Sequence, residues 1–282
     1  MDLKRFISSA ALTAVAGAAM LFASADVRAD TLDGIRERGS MIVAVDPTFA
    51  PFEYTDADGE ITGYDPDLLR LVADRMGVEI EWRQMSFTGI IPGLVSGSFD
   101  FTATALAVTA ERAERVGFTV PVAEGVSAVL RRTGDDRIAD AEPETLAGLS
   151  AAVKTTTQPE QVMQAFNDEL EADGLEPVNL LSVETVEQTI SALMAERVDF
   201  VVDDLAVLAT VIRERPEGIE IVEKIGPSVY ISWGTRKEDE ALRAALDEEI
   251  MALAESGELA DLQREYFGVT FDLPTDDFVP AE

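Results

Sequence analysis

The chain has 282 residues, 47% of them hydrophobic, and its 54 acidic against 22 basic side chains leave a formal net charge of −32. So negative a field excludes general binding to nucleic acid or anionic lipid, and self-repulsion makes salt favourable to the folded state. With no histidine and no cysteine, the usual zinc sites, thiol nucleophiles, Ser-His-Asp triads and disulfides are all removed, leaving carboxylates as the main groups for acid–base chemistry.

Residues 1–29 read as a secretory signal peptide: Lys4 and Arg5, an apolar run from Phe6 to about Ala23, then small residues at Ala25 and Ala29. Cleavage is expected after Ala29, with Ala25 as the alternative. A membrane anchor is the competing reading, against which the run is rich in Ala, Ser and Gly. Without a cysteine the chain cannot be an acylated lipoprotein, so the expected destination is the periplasm. No later stretch approaches the roughly 20 apolar residues needed to span a bilayer.

From about residue 41, short β-rich runs alternate with helical patterns, the signature of an α/β fold with largely parallel sheets. Met41 to Val45 is a buried strand. Asp65-Pro66 is expected to open a helix as N-cap and first residue, ended by Gly77. Val78 to Trp82 is a strand, Ile90 to Val95 helical, Phe99 to Thr104 a strand, and a helix starts from Thr109. A second set begins near residue 149. Leu149 to Val153 is a strand, Thr157 and Glu160 match a capping box before a helix to about Leu170, and Val178 to Leu181 is a strand. Val183 to Glu196 is an amphipathic helix, Val198 to Val202 a buried strand, Leu205 to Arg213 helical, and Ile219 to Glu223 extended. After the extended run Val229 to Trp233 come two helices, Asp239 to Ala254 and Glu258 to Phe267.

This order predicts two α/β lobes with mixed, mainly parallel sheets, joined by crossings near residues 129–132 and 229–233. Lobe 1 comprises residues 30–130 and 232–282, and lobe 2 residues 131–231. Ligands of open α/β sheets bind outside the carboxyl ends of the strands. Two such lobes face to face make a cleft that closes like a hinge.

One stretch, Thr102 to Arg115 (TATALAVTAERAER), sets a strand end, a turn and a first helical turn side by side. Thr109 suits the N-cap, and Glu111 and Glu114 suit the positive end of the helix dipole. Arg112 opposes that dipole by about 0.3–1 kcal/mol, a mismatch that becomes favourable if an anion sits between the guanidinium and the free N–H groups. A carboxylate fits the planar guanidinium fork. A solvated arginine paired with a neighbouring glutamate fits the same residues, and the stretch alone leaves both open.

Seven ordered segments resemble the polar-amino-acid class of periplasmic solute-binding proteins of ABC transporters, solute-binding family 3. They are VAVDPTFAPFEY (Val43 to Tyr54), ITGYDPDLLRLVADRMGV (Ile61 to Val78), MSFTGIIPGLVSGSFD (Met85 to Asp100), LAVTAERAERVGFTVP (Leu106 to Pro121), VKTTTQ (Val153 to Gln158), ERVDFVVDD (Glu196 to Asp204) and EYFG (Glu265 to Gly268). The resemblance covers nearly all of the chain after the signal. It implies a type II-like periplasmic binding protein that captures an amino acid or similar zwitterion and delivers it to an inner-membrane ABC permease, as a monomer without cofactor or metal.

Position by position, the resemblance makes Arg112 the receptor of the ligand α-carboxylate and Asp204 that of its ammonium, with Phe49 and Phe87 as aromatic walls. Thr104, Ala105 and Ala107 stand at the strand end against which the ligand rests. Thr157 and Gln158 resemble second-lobe positions that meet the carboxylate, and helix capping explains them equally well. Asp46 matches an acid that contacts the ligand side chain or amine, and Lys154 a lysine of glutamine-type members, so the specificity signals conflict. Asp203 is expected as a rim acid, Asp65 as a cap, and Phe52 and Tyr54 as core. The chain departs from the family where Ala105 and Ala107 replace hydroxyls, and where Val122 and Thr155 replace Tyr and Gly; a compatible solute therefore stays open as ligand. The competing function is a periplasmic enzyme resembling cyclohexadienyl dehydratase, with Glu53 or Glu124 as the acid.

Overall fold

The computed structural model describes residues 31–281, so the expected signal peptide lies outside the described residues. The chain runs through α1 (Thr31–Arg38), β1 (Ser40–Val45), a small antiparallel sheet of β2 (Thr48–Phe49), β3 (Glu53–Thr55) and β4 (Ile61–Thr62), then α2 (Tyr64–Met76) and β5 (Glu79–Gln84). Next come α3 (Phe87–Val95), β6 (Phe101–Ala107), α4 (Ala110–Ala113) and β7 (Gly117–Phe118). The second lobe holds β8 (Ala123–Arg132), α5 (Pro143–Leu146), β9 (Ser150–Lys154), α6 (Gln158–Ala172), β10 (Asn179–Val183), α7 (Val186–Met194), β11 (Phe200–Asp204) and α8 (Leu205–Glu214). The long β12 (Ile219–Thr235) returns to the first lobe, where α9 (Glu240–Ser256) and α10 (Glu258–Phe267) pack. Among the described residues no helix is long and apolar enough to cross a membrane.

The strands of the larger sheet run in the order β10-β9-β11-β8-β12-β6-β1-β5, with β7 on the end of β12. In the first lobe β1 is parallel to both β5 and β6, and in the second β9 is parallel to both β10 and β11. β8 and β12 are antiparallel to their neighbours and carry the chain between the lobes. Helices cover both faces of the inner strands, which is why β1 and β6 are buried along nearly their whole length. The outermost strand of lobe 1, β5, carries the polar sequence EIEWRQ instead, which discourages pairing with another chain.

The crossings differ from expectation. Val129 to Arg132 are the last four residues of β8, paired within the second lobe, with Val129 opposite Val202 and Arg131 opposite Phe200. The first passage falls earlier, where Thr119 N–H donates to Trp233 O (3.0 Å) and Val122 N–H to Ile231 O (2.8 Å). β12 is one strand rather than two runs, and its Ile231 is opposite Ala123 of β8 and Ala107 of β6 at once. Pairing between residues 69 to 124 apart decides this, and local periodicity carries no trace of it.

The passage is clamped by side chains. The Tyr64 hydroxyl and the Gln263 amide both donate to Val122 O, and the Trp233 indole N–H donates to Asp65 Oδ1 at 2.6 Å. Asp65, expected as a cap, is therefore fully buried and spent on the returning strand, and Gly63 holds the N-cap position of α2. The capping box expected at Thr157 and Glu160 does not form, since Glu160 instead accepts from Thr156 N–H and the Ser182 hydroxyl. A capping box does form at Thr185 and Gln188, ahead of α7.

Gly63 has φ 119°, and a Cβ there would lie 2.5 Å from Phe52 O, the carbonyl that receives Asp65 N–H. Gly63→Ala is expected to lower the unfolding free energy by at least the roughly 1–3 kcal/mol of a strained backbone position. Urea denaturation measures it, and an unchanged midpoint would contradict the packing described.

Candidate functional site

Four parallel-strand ends converge on one gap. β1 stops just before Asp46, while Ala107, Lys154 and Asp204 are the last residues of β6, β9 and β11, so each lobe contributes two ends. The gap is nearly closed, with a cavity of about 30 Å³ left between the lobes. Of the residues singled out in the sequence, Phe49, Phe87, Ala105, Ala107 and Arg112 line it from the first lobe, and Lys154, Thr157, Gln158 and Asp204 from the second. Phe52, expected as core, also lines it, stacked on Phe49 with ring centroids 5.6 Å apart. Pro159, Val229 and Ile231 complete the wall, the last two because β12 passes behind both lobes. Asp46 and Thr104 stand behind the lining, engaged by neighbouring side chains.

Arg112 is held by its short helix. Thr109 Oγ1 accepts Arg112 N–H at 3.2 Å, and the guanidinium of this residue, 5% exposed as a whole, donates to Ala107 O and across the gap to Thr156 O, each at 2.8 Å. Its Cζ is 5.5 Å from the Phe87 ring centroid. No carboxylate of the described residues forms an ion pair with it, and Glu111 accepts from the Gln161 amide at 3.1 Å instead. Burial brings its pKa down to about 10 against the opposing pull of Glu111, so it remains cationic at neutral pH. A buried cation whose recorded partners are only carbonyls is well placed to receive an anion.

Asp204 ends β11 and caps α8. Its Oδ1 accepts Ala206 N–H at 2.8 Å and its Oδ2 accepts Val126 N–H at 3.1 Å. Gly125 makes room for it, since a Cβ there would lie 2.7 Å from Oδ2. The surrounding protein pushes its pKa up to about 7, chiefly by desolvation, with Asp203 adding to the shift and the donated backbone N–H groups opposing it. Asp203 is fully buried rather than on the rim, and desolvation lifts it to about 6. Its Oδ1 accepts Asp204 N–H, and its Oδ2 has no hydrogen-bond partner among the described residues.

Lys154 and Asp46 meet across the gap, Nζ to Oδ2, at 2.6 Å, and Thr48 Oγ1 lies 3.2 Å from the same ammonium. Thr157 Oγ1 donates to Lys154 O at 2.5 Å, and Gln158 Oε1 accepts from the buried Ser127 hydroxyl at 2.7 Å. The Lys154 contacts, with those of Arg112 to Thr156 and of Gln161 to Glu111, hold the lobes against each other, whereas Thr157 and Gln158 are bonded within the second lobe.

A pair of acids supports the floor. Thr104 Oγ1 donates to Glu53 Oε1 at 2.5 Å, and Ala105 N–H faces both carboxyl oxygens at 3.3 Å. Burial raises Glu53 well above the carboxylate range, neighbouring Asp65 adds to that shift, and burial lifts Asp65 itself to about 6. Asp65 Oδ2 lacks a partner among the described residues, and a proton shared between the two acids, both of which have raised pKa values, would supply one. Neither Glu53 nor Glu124, the two acids considered for catalysis, lines the gap; Glu124 is on β8 opposite Tyr230. No group of three or more acidic side chains able to hold a metal occurs among the described residues.

Residues 41–269 match the family described as bacterial extracellular solute-binding proteins, family 3. The chain is 33% identical over 199 residues to the arginine-binding protein ArgT of Corynebacterium glutamicum, covering 70% of this chain and 64% of that relative. An ancestral arginine-binding protein solved bound to arginine is 27% identical with a TM-score of 0.75, covering 82% of this chain and 99% of its own. The ancestral amino acid-binding protein AncCDT-1, described as a precursor of cyclohexadienyl dehydratase, is 25% identical with a TM-score of 0.76, covering 84% and 99%.

The acid pair has a pH signature. Both folded-state pKa values are raised, so the native chain keeps protons that the unfolded chain has released. The stability these two acids contribute is therefore greatest at low pH, where both states are protonated, and falls as pH rises through the ordinary carboxylate range toward the folded values; Asp203 and Asp204 add slope of the same sign, and Asp135 and Asp199, whose pKa values are lowered, add slope of the opposite sign. Glu53→Gln keeps an acceptor for Thr104 and offers Asp65 an amide donor without a titrating proton. In urea denaturation its stability relative to the parent is expected to grow between about pH 5 and about pH 8, and a constant margin would contradict the shared proton.

Proposed function

The chain belongs to family 3 of the bacterial extracellular solute-binding proteins, and we propose that it captures an amino acid or amino-acid-like zwitterion between its lobes and hands it to the membrane permease of an ABC importer. The observation that carries this reading is the pairing, on one gap, of Arg112, a buried cation with no ion pair to a carboxylate among the described residues, with Asp204, an acid whose pKa is pushed up to about 7. A zwitterion entering the gap loses two hydration shells, and each of its charges then needs a charged hydrogen-bonding partner. Arg112 takes the α-carboxylate and Asp204 the ammonium. Ala105 and Ala107 offer no hydroxyls, so the free N–H groups opening α6 complement Arg112 on the carboxylate.

Contacts from both lobes exist together only when the lobes are closed, so ligand favours the closed form by its differential affinity. Closure turns on the two crossings between residues 31–122 and 123–231, with β12 returning the chain to the first lobe. The reading implies a periplasmic monomer whose partners are the ligand and the permease, and a binder rather than an enzyme. Glu53 and Glu124 lie away from the gap lining, which supports that.

Two outcomes test it. In a thermal-shift screen against the amino acids and common osmolytes, a ligand at 100 times its Kd adds about 2.7 kcal/mol to unfolding; Arg112→Ala is expected to abolish that shift while moving the ligand-free melting temperature little. Asp204 must lose its proton to receive an ammonium, so Kd is expected to rise about tenfold per pH unit as pH falls below about 7. Calorimetric titration from about pH 5 to about pH 8 reads this directly, with Asp204→Asn flat. A Kd independent of pH would remove Asp204 from the ammonium site.

A further inference from the structure

The family match ends at Val269 and α10 at Phe267, so residues 270–281 form a tail that neither includes. The tail has no helix or strand, yet it is docked: Phe271, Leu273, Pro274 and Phe278 are half-buried, and its other residues are exposed. The Phe271 ring meets Phe267 edge-on with centroids 5.5 Å apart, and Phe278 packs on the cluster of Ile90, Leu94 and Phe99. Phe271 N–H donates to Gln263 Oε1 at 3.1 Å.

Gln263 is 1% exposed, and its amide is engaged at both ends, because Nε2 donates to Val122 O at 3.1 Å. An amide carries its acceptor at one end and its donors at the other, so the two partners together allow a single orientation. Val122 is where the first crossing leaves lobe 1. Its carbonyl also accepts the Tyr64 hydroxyl, its N–H donates to Ile231 O of the returning strand at 2.8 Å, and β8 starts at the next residue.

We propose that the tail braces the hinge: Phe271 fixes the Gln263 amide, Gln263 is a positioning residue that pins Val122, and the pinned crossing limits the freedom of the second lobe against the first. For its effect on affinity this rests on lobe closure as read above; the bracing itself does not depend on which ligand is taken. A crossing held at one peptide explores fewer backbone conformations while the lobes are apart, so less order has to be imposed when they meet. Without Phe271 the buried Oε1 loses its partner, and a rotation that finds it another takes Nε2 away from Val122. The docked rings of Phe271 and Phe278 keep the terminal segment from fraying, and so keep the donor in place.

The chain has no cysteine, so Glu114→Cys and Ala165→Cys, both at exposed positions, put one nitroxide label on each lobe. Pulsed electron paramagnetic resonance then reads the distance between the lobes. Without added ligand the distance distribution is expected to be about twofold broader in Phe271→Ala and in Gln263→Met than in the labelled parent, the result of freeing one or two backbone residues. The concentration of an equimolar mixture of the twenty amino acids that half-closes the lobes is expected to rise about tenfold in both. Phe271→Leu, which keeps the N–H and an apolar anchor, is expected to match the parent. The double variant Phe271→Ala/Gln263→Met is expected to go no further than either single one, since the ring acts through the amide. Parent-like widths in both single variants overturn the inference, and so does a double variant whose effects add. If the amino acids leave the distance in the labelled parent unchanged, closure on an amino acid is overturned, and the ligand-free widths decide the brace by themselves. Should Gln263→Met not fold, Phe271→Ala at its half-buried position carries the comparison alone.

Discussion

A lysine ammonium sealed from water needs a carboxylate, and Lys154 finds one on the other side of the cleft. The 2.6 Å contact with Asp46 ties the end of β9 to the end of β1. A buried pair of this kind adds little net stability compared with apolar packing, yet losing one partner is costly, so its effect is to fix which surfaces meet. In a chain with a formal charge of −32 the acids are abundant and a buried cation is the scarce feature. Two such cations face the gap, and they differ in what they lack. Lys154 has its counter-ion; Arg112 has only the carbonyls of Ala107 and Thr156.

That difference organises the electrostatics of the site. Around the satisfied lysine the charge is balanced, whereas around Arg112 there is a cationic surplus. Asp204 and Asp203, packed side by side at the end of β11, carry raised pKa values because burial is not repaid by a cation of their own. The zwitterion proposed as ligand supplies both partners at once, a carboxylate for Arg112 and an ammonium for Asp204.

The scaffold delivers these groups through parallel strands whose carboxyl ends face each other, and through a hinge held from behind. Trp233 and Val122, one on each crossing, are gripped by Asp65, Tyr64 and Gln263. Asp65 in turn lies beside Glu53, whose carboxyl anchors Thr104 and Ala105 under the gap. One buried run of polar groups therefore leads from the returning strand to the floor of the site.

The sequence by itself determined the alternation of elements, the two-lobed α/β class, the buried runs of β1, β6, β9 and β11, and the charged residues at their ends, because these follow from local periodicity and from resemblance carried by short motifs. Thr109 and Arg112 were legible as a capped turn with a misplaced cation. Only the tertiary structure decided which strand pairs with which, and so moved the first crossing from residues 129–132 to 119–123 and joined two extended runs into β12. It also decided what each charge is for: Asp46 and Lys154 sent opposing signals when read singly, and Asp65 looked like a helix cap. Their partners lie 108 and 168 residues away, a separation at which neighbouring sequence holds no information about contact.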